Sequence, residues 1–160
     1  VTSLAAALAL LCACHLGHPP GSLAAGSVSV GRVEVAAAEP GLADALRSGL
    51  GTALAKRALQ GQGSVVELTV LDASTAVVAV AGERRVHRAL LVVEGRVLGN
   101  SPRSVVLRAE RSYELISDDG LDGAQRRADT FATLADELTE DLAAWLQDAP
   151  PPAPPSPRTP

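Results

Sequence analysis

Few side chains in this sequence have the type and spacing to do chemistry. Both cysteines, Cys12 and Cys14, follow directly on an uncharged apolar run, Leu4–Leu11. Such a run ending in small residues and a cysteine is the arrangement of a secretory leader that ends in a lipidation site. Cys14 has Leu11 three residues before it and the small Ala13 immediately before it. Cys12 has the bulkier Leu11 at that last position, which fits a cleavage pocket badly. The thiol expected to carry acyl chains is therefore that of Cys14, and a plain secretory leader is the alternative. The run is far shorter than the roughly 20 apolar residues that cross a bilayer.

The second candidate chemistry is anion binding. From Arg84 to Arg111 there are seven arginines and two glutamates, a local net charge of plus five. From Glu114 to Asp148 ten acids meet two arginines, a net of minus eight. A basic middle and an acidic last third suggest elements that face different partners. The remaining candidates point to simpler roles. His15 and His18 lie on a Gly/Pro-rich stretch without a further ligand nearby. His87 falls on the apolar parity of an extended segment, where a satisfied histidine at the core edge is expected rather than a catalytic base. Asp118 and Asp119 read as a solvated turn and helix cap rather than a metal pair. No catalytic residue, metal site or cofactor is expected.

Composition limits the rest. Only Phe131, Tyr113 and Trp145 are aromatic, so the core must be built from Val, Leu and Ala. A chain so poor in rings lacks the platforms on which nucleic-acid modules stack bases. Thirteen arginines against one lysine, Lys56, reflect a general preference for arginine, so their number alone says little. With both cysteines in the leader region, the folded part has no internal disulfide and no cysteine metal site.

The elements that must position these groups follow from periodicity. Residues 1–13 are the expected leader and 14–26 a linker punctuated by Gly and Pro. Ser27–Ala37 reads as a strand whose valines change parity at Gly31, the mark of a bulge. Pro40–Leu59 reads as a helix with Pro40 in its first turn. Its apolar face is Leu42, Leu46, Leu50, Ala53 and Leu54, and Gly49 and Gly51 are expected close-approach points for a sheet. Ser64–Ala73 is a second strand, followed by a polar turn at Asp72–Thr75. Ala76–Ala81 is again extended, as a continuation of that strand or a short hairpin arm.

Two long strands come next, Val86–Leu98 and Arg103–Leu115, joined by turn residues Gly99–Pro102. The first puts Ala89, Leu91, Val93 and Val97 on one face. The second puts Val105, Leu107, Ala109 and Tyr113 on one face. A helix over about Asp122–Gln147 carries the stripe Ala124, Ala128, Phe131, Ala135, Leu138, Leu142 and Trp145. Residues 149–160 form a polyproline-like tail.

This order predicts an α+β, two-layer sandwich spanning 27–148. About four mainly antiparallel strands carry two helices on one face, in β-α-β-β-β-α order. Arg88, Arg96 and Arg108 then lie on the helix-free face, with Arg84, Arg85 and Arg103 near strand ends.

Three stretches carry a family resemblance. They are E-P-G-L at Glu39–Leu42, R-V-H-R-A-L-L-V-V-E-G-R-V-L at Arg85–Leu98, and S-Y-E-L at Ser112–Leu115 followed by A-Q-R-R-A and L-A-D-E-L-T-E-D-L. In order and spacing, the region from about Gly26 to Gln147 resembles the outer-membrane LPS-assembly lipoprotein family, LptE. The resemblance implies a lipoprotein on the periplasmic face of the outer membrane. Its implied partners are the LPS translocon barrel LptD, which it plugs and helps to fold, and lipopolysaccharide itself. It implies no catalytic motif. Lipid A phosphates suit the bidentate forks of arginine. The residues expected to meet them are Arg84, Arg85, Arg88, Arg96, Arg103 and Arg108. The alternative is a lipid-anchored periplasmic binding or assembly module with another partner.

Overall fold

The computed structural model describes residues 26–35, 39–99, 102–116 and 120–148. The leader, Cys12, Cys14, both linker histidines, Ala36–Ala38, Asn100, Ser101, the Ser117–Asp119 loop and the proline-rich tail lie outside the described residues.

The chain forms β1 (Val28–Val35), α1 (Leu42–Lys56), β2 (Ser64–Ala81), β3 (Arg84–Leu98), β4 (Arg103–Leu115) and α2 (Gly120–Asp148). The sheet order is β1-β2-β3-β4. β1 runs parallel to β2, as a crossover through α1 requires, and the other two pairings are antiparallel. Both helices lie on one face, so the expected two-layer α+β architecture is the observed one. α1 sits over β1, α2 over β3 and β4, and the two helices pack on each other.

Parity makes the layers. Val66, Leu68 and Val70 of β2 and Ala89, Leu91, Val93 and Val97 of β3 are buried and share the helix-facing side. They meet Leu42, Leu46, Leu50, Ala53 and Leu54 of α1 in one cluster. Burying side chains of this kind supplies roughly 1.5–3 kcal/mol each. Gly31 lies where the β1–β2 register shifts between Val30 and Val33, so the bulge falls at the expected place.

Several sequence expectations need correcting. The Asp72–Thr75 turn does not exist: β2 is one 18-residue strand, and Asp72–Thr75 pairs with Ala89–Val92. Two bulges, between Val70 and Asp72 and between Val77 and Ala79, absorb the change of pattern. Helix α1 starts at Leu42, not Pro40, because Gly41 caps it in a left-handed conformation (φ 80°) that glycine adopts freely. It ends at Lys56, where Ala58, at φ 54°, turns the chain.

Gly49 is a close-approach point, but toward α2 rather than the sheet. A Cβ there would stand 2.7 Å from Thr139 Oγ1, whereas one at Gly51 would meet nothing. In α2, Ala124 and Ala128 are exposed and the buried set begins at Thr130, adding Leu134, Ala143 and Leu146 to the expected stripe.

The helix pair is clamped on its outer side. Glu140 of α2 accepts hydrogen bonds from Lys56 Nζ at 2.6 Å and Arg57 Nη1 at 2.7 Å. The Lys56 bond, then that of Arg57, holds the Glu140 carboxyl below the usual carboxylate range. A carboxyl whose pKa is lowered on folding stabilises fully above its unfolded value of about 4.3. That contribution is lost as pH falls through the folded value. Glu140→Gln is therefore expected to lower Tm near pH 7, with the gap to the parent closing below about pH 4. Melts across this range check it; a gap of constant size down to about pH 3 would contradict the assignment.

Candidate functional site

The register of β2, β3 and β4 decides which arginines share a surface. Arg84, Arg88 and Arg96 of β3 and Arg108 of β4 lie on the helix-free face. Arg108 stands opposite Val92, with Arg88 and Arg96 four residues along β3 on either side. All four are exposed. Arg96 pairs with Glu94 at 3.3 Å and Arg108 with Glu110 at 3.2 Å, each two residues along its own strand. Arg84 and Arg88 make no ion pair among the described residues.

The same register brings acids onto this face. Glu67 lies opposite Arg96 and Asp72 opposite Val92, and Glu110 and Glu114 come from β4. With Glu94, five carboxylates there, on the described residues of β2, β3 and β4, meet four arginines of the same strands. The plus-five stretch of the sequence is therefore split by parity and neutralised by neighbouring strands. The face is an array of alternating charge with Leu90, Val92 and Val106 between the charges, not a broad basic field.

The other two candidate arginines have helix-side parity. Arg85 lies opposite Leu115 near the strand end. Arg103 reaches the C-terminal end of α2, where Nη2 donates to the Leu146 carbonyl at 3.5 Å and the guanidinium lies 5.0 Å over the Trp145 ring. The last turn of α2 has no basic residue of its own. β4 thus supplies the cation that the unpaired carbonyls and the negative end of the helix dipole favour. Burial lowers the Arg103 pKa from its ordinary value, as expected when a charge loses water.

A second polar group lies at the opposite end of the helix-facing side. His87 and Tyr113 are cross-strand neighbours with stacked rings, 5.2 Å apart and 18° between planes. Burial pushes the Tyr113 phenol up. His87 sits at the core edge as its parity required, but it is not satisfied: Nε2 is buried without a hydrogen-bond partner among the described residues. Arg127 Nε shares that condition, although Nη2 of the same residue donates to Glu39, whose side chain is nearly buried. His87, Tyr113, Thr75, Leu115 and Arg127 line a cavity of about 290 Å³ beside the first turns of α2. Arg127 was missed in the sequence. Its charge four residues before Phe131, beside Arg126 on a mainly acidic helix, was the available signal.

No cluster of three or more His, Cys, Asp or Glu suited to a metal occurs among the described residues. Among them, no helix is long and apolar enough to cross a membrane.

No protein-family model and no curated protein matches the chain. Solved structures do. A minor lipoprotein from Acinetobacter baumannii matches with TM-score 0.55 and 19% identity, over 83% of this chain and 99% of that one. A protein described as a putative lipoprotein from Caulobacter crescentus matches with TM-score 0.43 and 25% identity, over 75% and 93%. The rare lipoprotein B from Shewanella oneidensis matches with TM-score 0.36 and 10% identity, over 72% and 90%. The chain shares its fold with the Acinetobacter protein, so this is a fold that a bacterial lipoprotein adopts.

Proposed function

We propose that this protein is an outer-membrane lipoprotein, acylated at Cys14. In this reading it assembles with the LPS translocon barrel, LptD, as a plug and assists lipopolysaccharide on its way to the outer leaflet. Two things support the reading: the resemblance in the Arg85–Leu98 and Ser112–Leu142 stretches, and the fold shared with a protein described as a lipoprotein. The observation that carries the lipopolysaccharide contact is the helix-free sheet face, on which two adjacent strands present Arg108 opposite Val92 and Arg88 and Arg96 four residues to either side. Guanidinium forks bind phosphate oxygens, and each charged hydrogen bond contributes about 1.5–3 kcal/mol.

Changing Arg88, Arg96 and Arg108 together to Glu is expected to weaken lipopolysaccharide binding by at least about tenfold, the equivalent of about 1.4 kcal/mol. The circular dichroism spectrum should not change, because all three side chains are exposed. Unchanged binding in a folded triple variant would reject the contact.

The near balance of charge on that face favours a second reading, a lipid-anchored assembly module that docks a polar protein surface instead. Affinity purification from detergent-solubilised envelope, with the mass of the mature N-terminus, separates the two. The first reading requires a large β-barrel to come down with an acylated chain. A different partner, with the acyl mass intact, supports the second.

A further inference from the structure

Strand β1 covers the outer edge of β2 only from Ser64 to Val70. From Asp72 to Ala81, β2 pairs with β3 on one side, and no described strand lies on the other. This free edge is ten residues long and carries no charge after Asp72. It has no lysine or proline, the usual protections of an edge, and its defence is a bulge at Val78. It also exposes its larger side chains: Val77 is 50%, Val78 44% and Val80 65% exposed. At the same end, Ile116 and Leu121 are exposed too. Such a strand holds unpaired N–H and C=O groups beside apolar side chains, and both need a partner.

We propose that the partner is a second copy of this chain, paired antiparallel through the Asp72–Ala81 edge about a two-fold axis near Val77. The occupant must be an uncharged extended segment of this length with small or β-branched side chains, and the edge itself is one. The length fixes the register. β1 blocks the edge up to Val70 and the turn begins at Gly82, so the free stretch Asp72–Ala81 is centred between Ala76 and Val77. In that register Val77 faces Ala76, Val78 faces Thr75, Ala79 faces Ser74 and Val80 faces Ala73. Asp72 falls opposite Ala81, so no like charges meet. The symmetry is isologous, so the contact closes at two copies instead of growing into a filament.

The test is the mass of the full-length chain by light scattering under reducing conditions, at micromolar concentration and above. The parent chain is expected to be a dimer. Val78→Lys combined with Val80→Lys places two charges on each edge and is expected to raise the dimer dissociation constant at least about a hundredfold, leaving a monomer. Both residues are exposed, so the melting curve should stay close to that of the parent. A parent chain that is monomeric throughout overturns the proposal. So does a lysine variant that keeps its dimer, because the contact would then lie elsewhere.

Discussion

Replacing Phe131 with alanine is expected to remove about 3–5 kcal/mol of stability. Phe131 is the one phenylalanine of the chain and sits, 2% exposed, where α2 meets the core. It belongs to the one core cluster built from both helices and the sheet, and truncating it leaves a cavity there. The ring also lies 5.8 Å beneath the Arg127 guanidinium, which holds Glu39 at the entry to α1. Losing the ring therefore loosens a polar tie as well as opening a cavity. Total stability of a domain this size is about 5–15 kcal/mol, so the variant is expected to be close to unfolding. Urea melts followed by far-UV circular dichroism measure it. Phe131→Leu, which refills most of the volume, should cost less than half as much. Equal losses in the two variants would mean that packing is not what the ring provides.

The second large effect is expected at Gly61. Its amide donates to the Val28 carbonyl at 2.7 Å, and a Cβ at this position would overlap the backbone carbonyl of Gly26. A flexible side chain could turn aside, but backbone cannot. Gly61→Ala must therefore push the start of β1 away from the loop that holds it. The hydrogen bonds at risk are Gly26 N to Ala58 O at 2.8 Å, Val28 N to Leu59 O at 2.9 Å and Ser64 N to Ser27 O at 2.8 Å. Val28, fully buried, would shift with them. Forced overpacking of this kind costs about 1–3 kcal/mol, and more where main chain must move. Hydrogen exchange is the more specific measurement. The β1 amides should lose protection while those of β3 and β4 keep theirs. Uniform loss across the sheet would show that β1 does not yield separately.

How far the sequence specified this fold can be seen element by element. The span Arg103–Leu115 and the buried set of β3 were legible because period-two alternation there is strict and the flanking turn residues are strong. Asp72–Thr75 was misread because small polar residues favour turns locally. In the fold only Ala73 and Thr75 are partly buried while Asp72 and Ser74 face solvent, and pairing with Ala89–Val92 outweighs the local preference. Ala124 and Ala128 belong to the apolar stripe by spacing, yet they are exposed near the start of α2. Leu134 and Leu146 were overlooked because a helix wedged between a sheet and another helix buries a wider arc than one row of side chains.

The candidate site was legible only in part. Alternation correctly placed Arg88, Arg96 and Arg108 on one face, because that needs only the strand's own period. Their electrostatic setting was not legible, since Glu67 and Asp72 arrive from β2 through a register that no local pattern reveals. Arg103 shows the same limit. Its place at the end of α2 depends on a helix 43 residues away in sequence.

That arrangement has an optical consequence. Trp145 is the one indole of the chain, so the intrinsic fluorescence excited at its red edge comes from a single place, the final turn of α2. The Arg103 guanidinium lies over that ring, so the indole's surroundings change if the helix end leaves β4. The spectrum therefore acts as a local gauge of whether the end of the long helix stays seated on its neighbouring strand, and it is blind to the hairpin arm at the other end of the molecule.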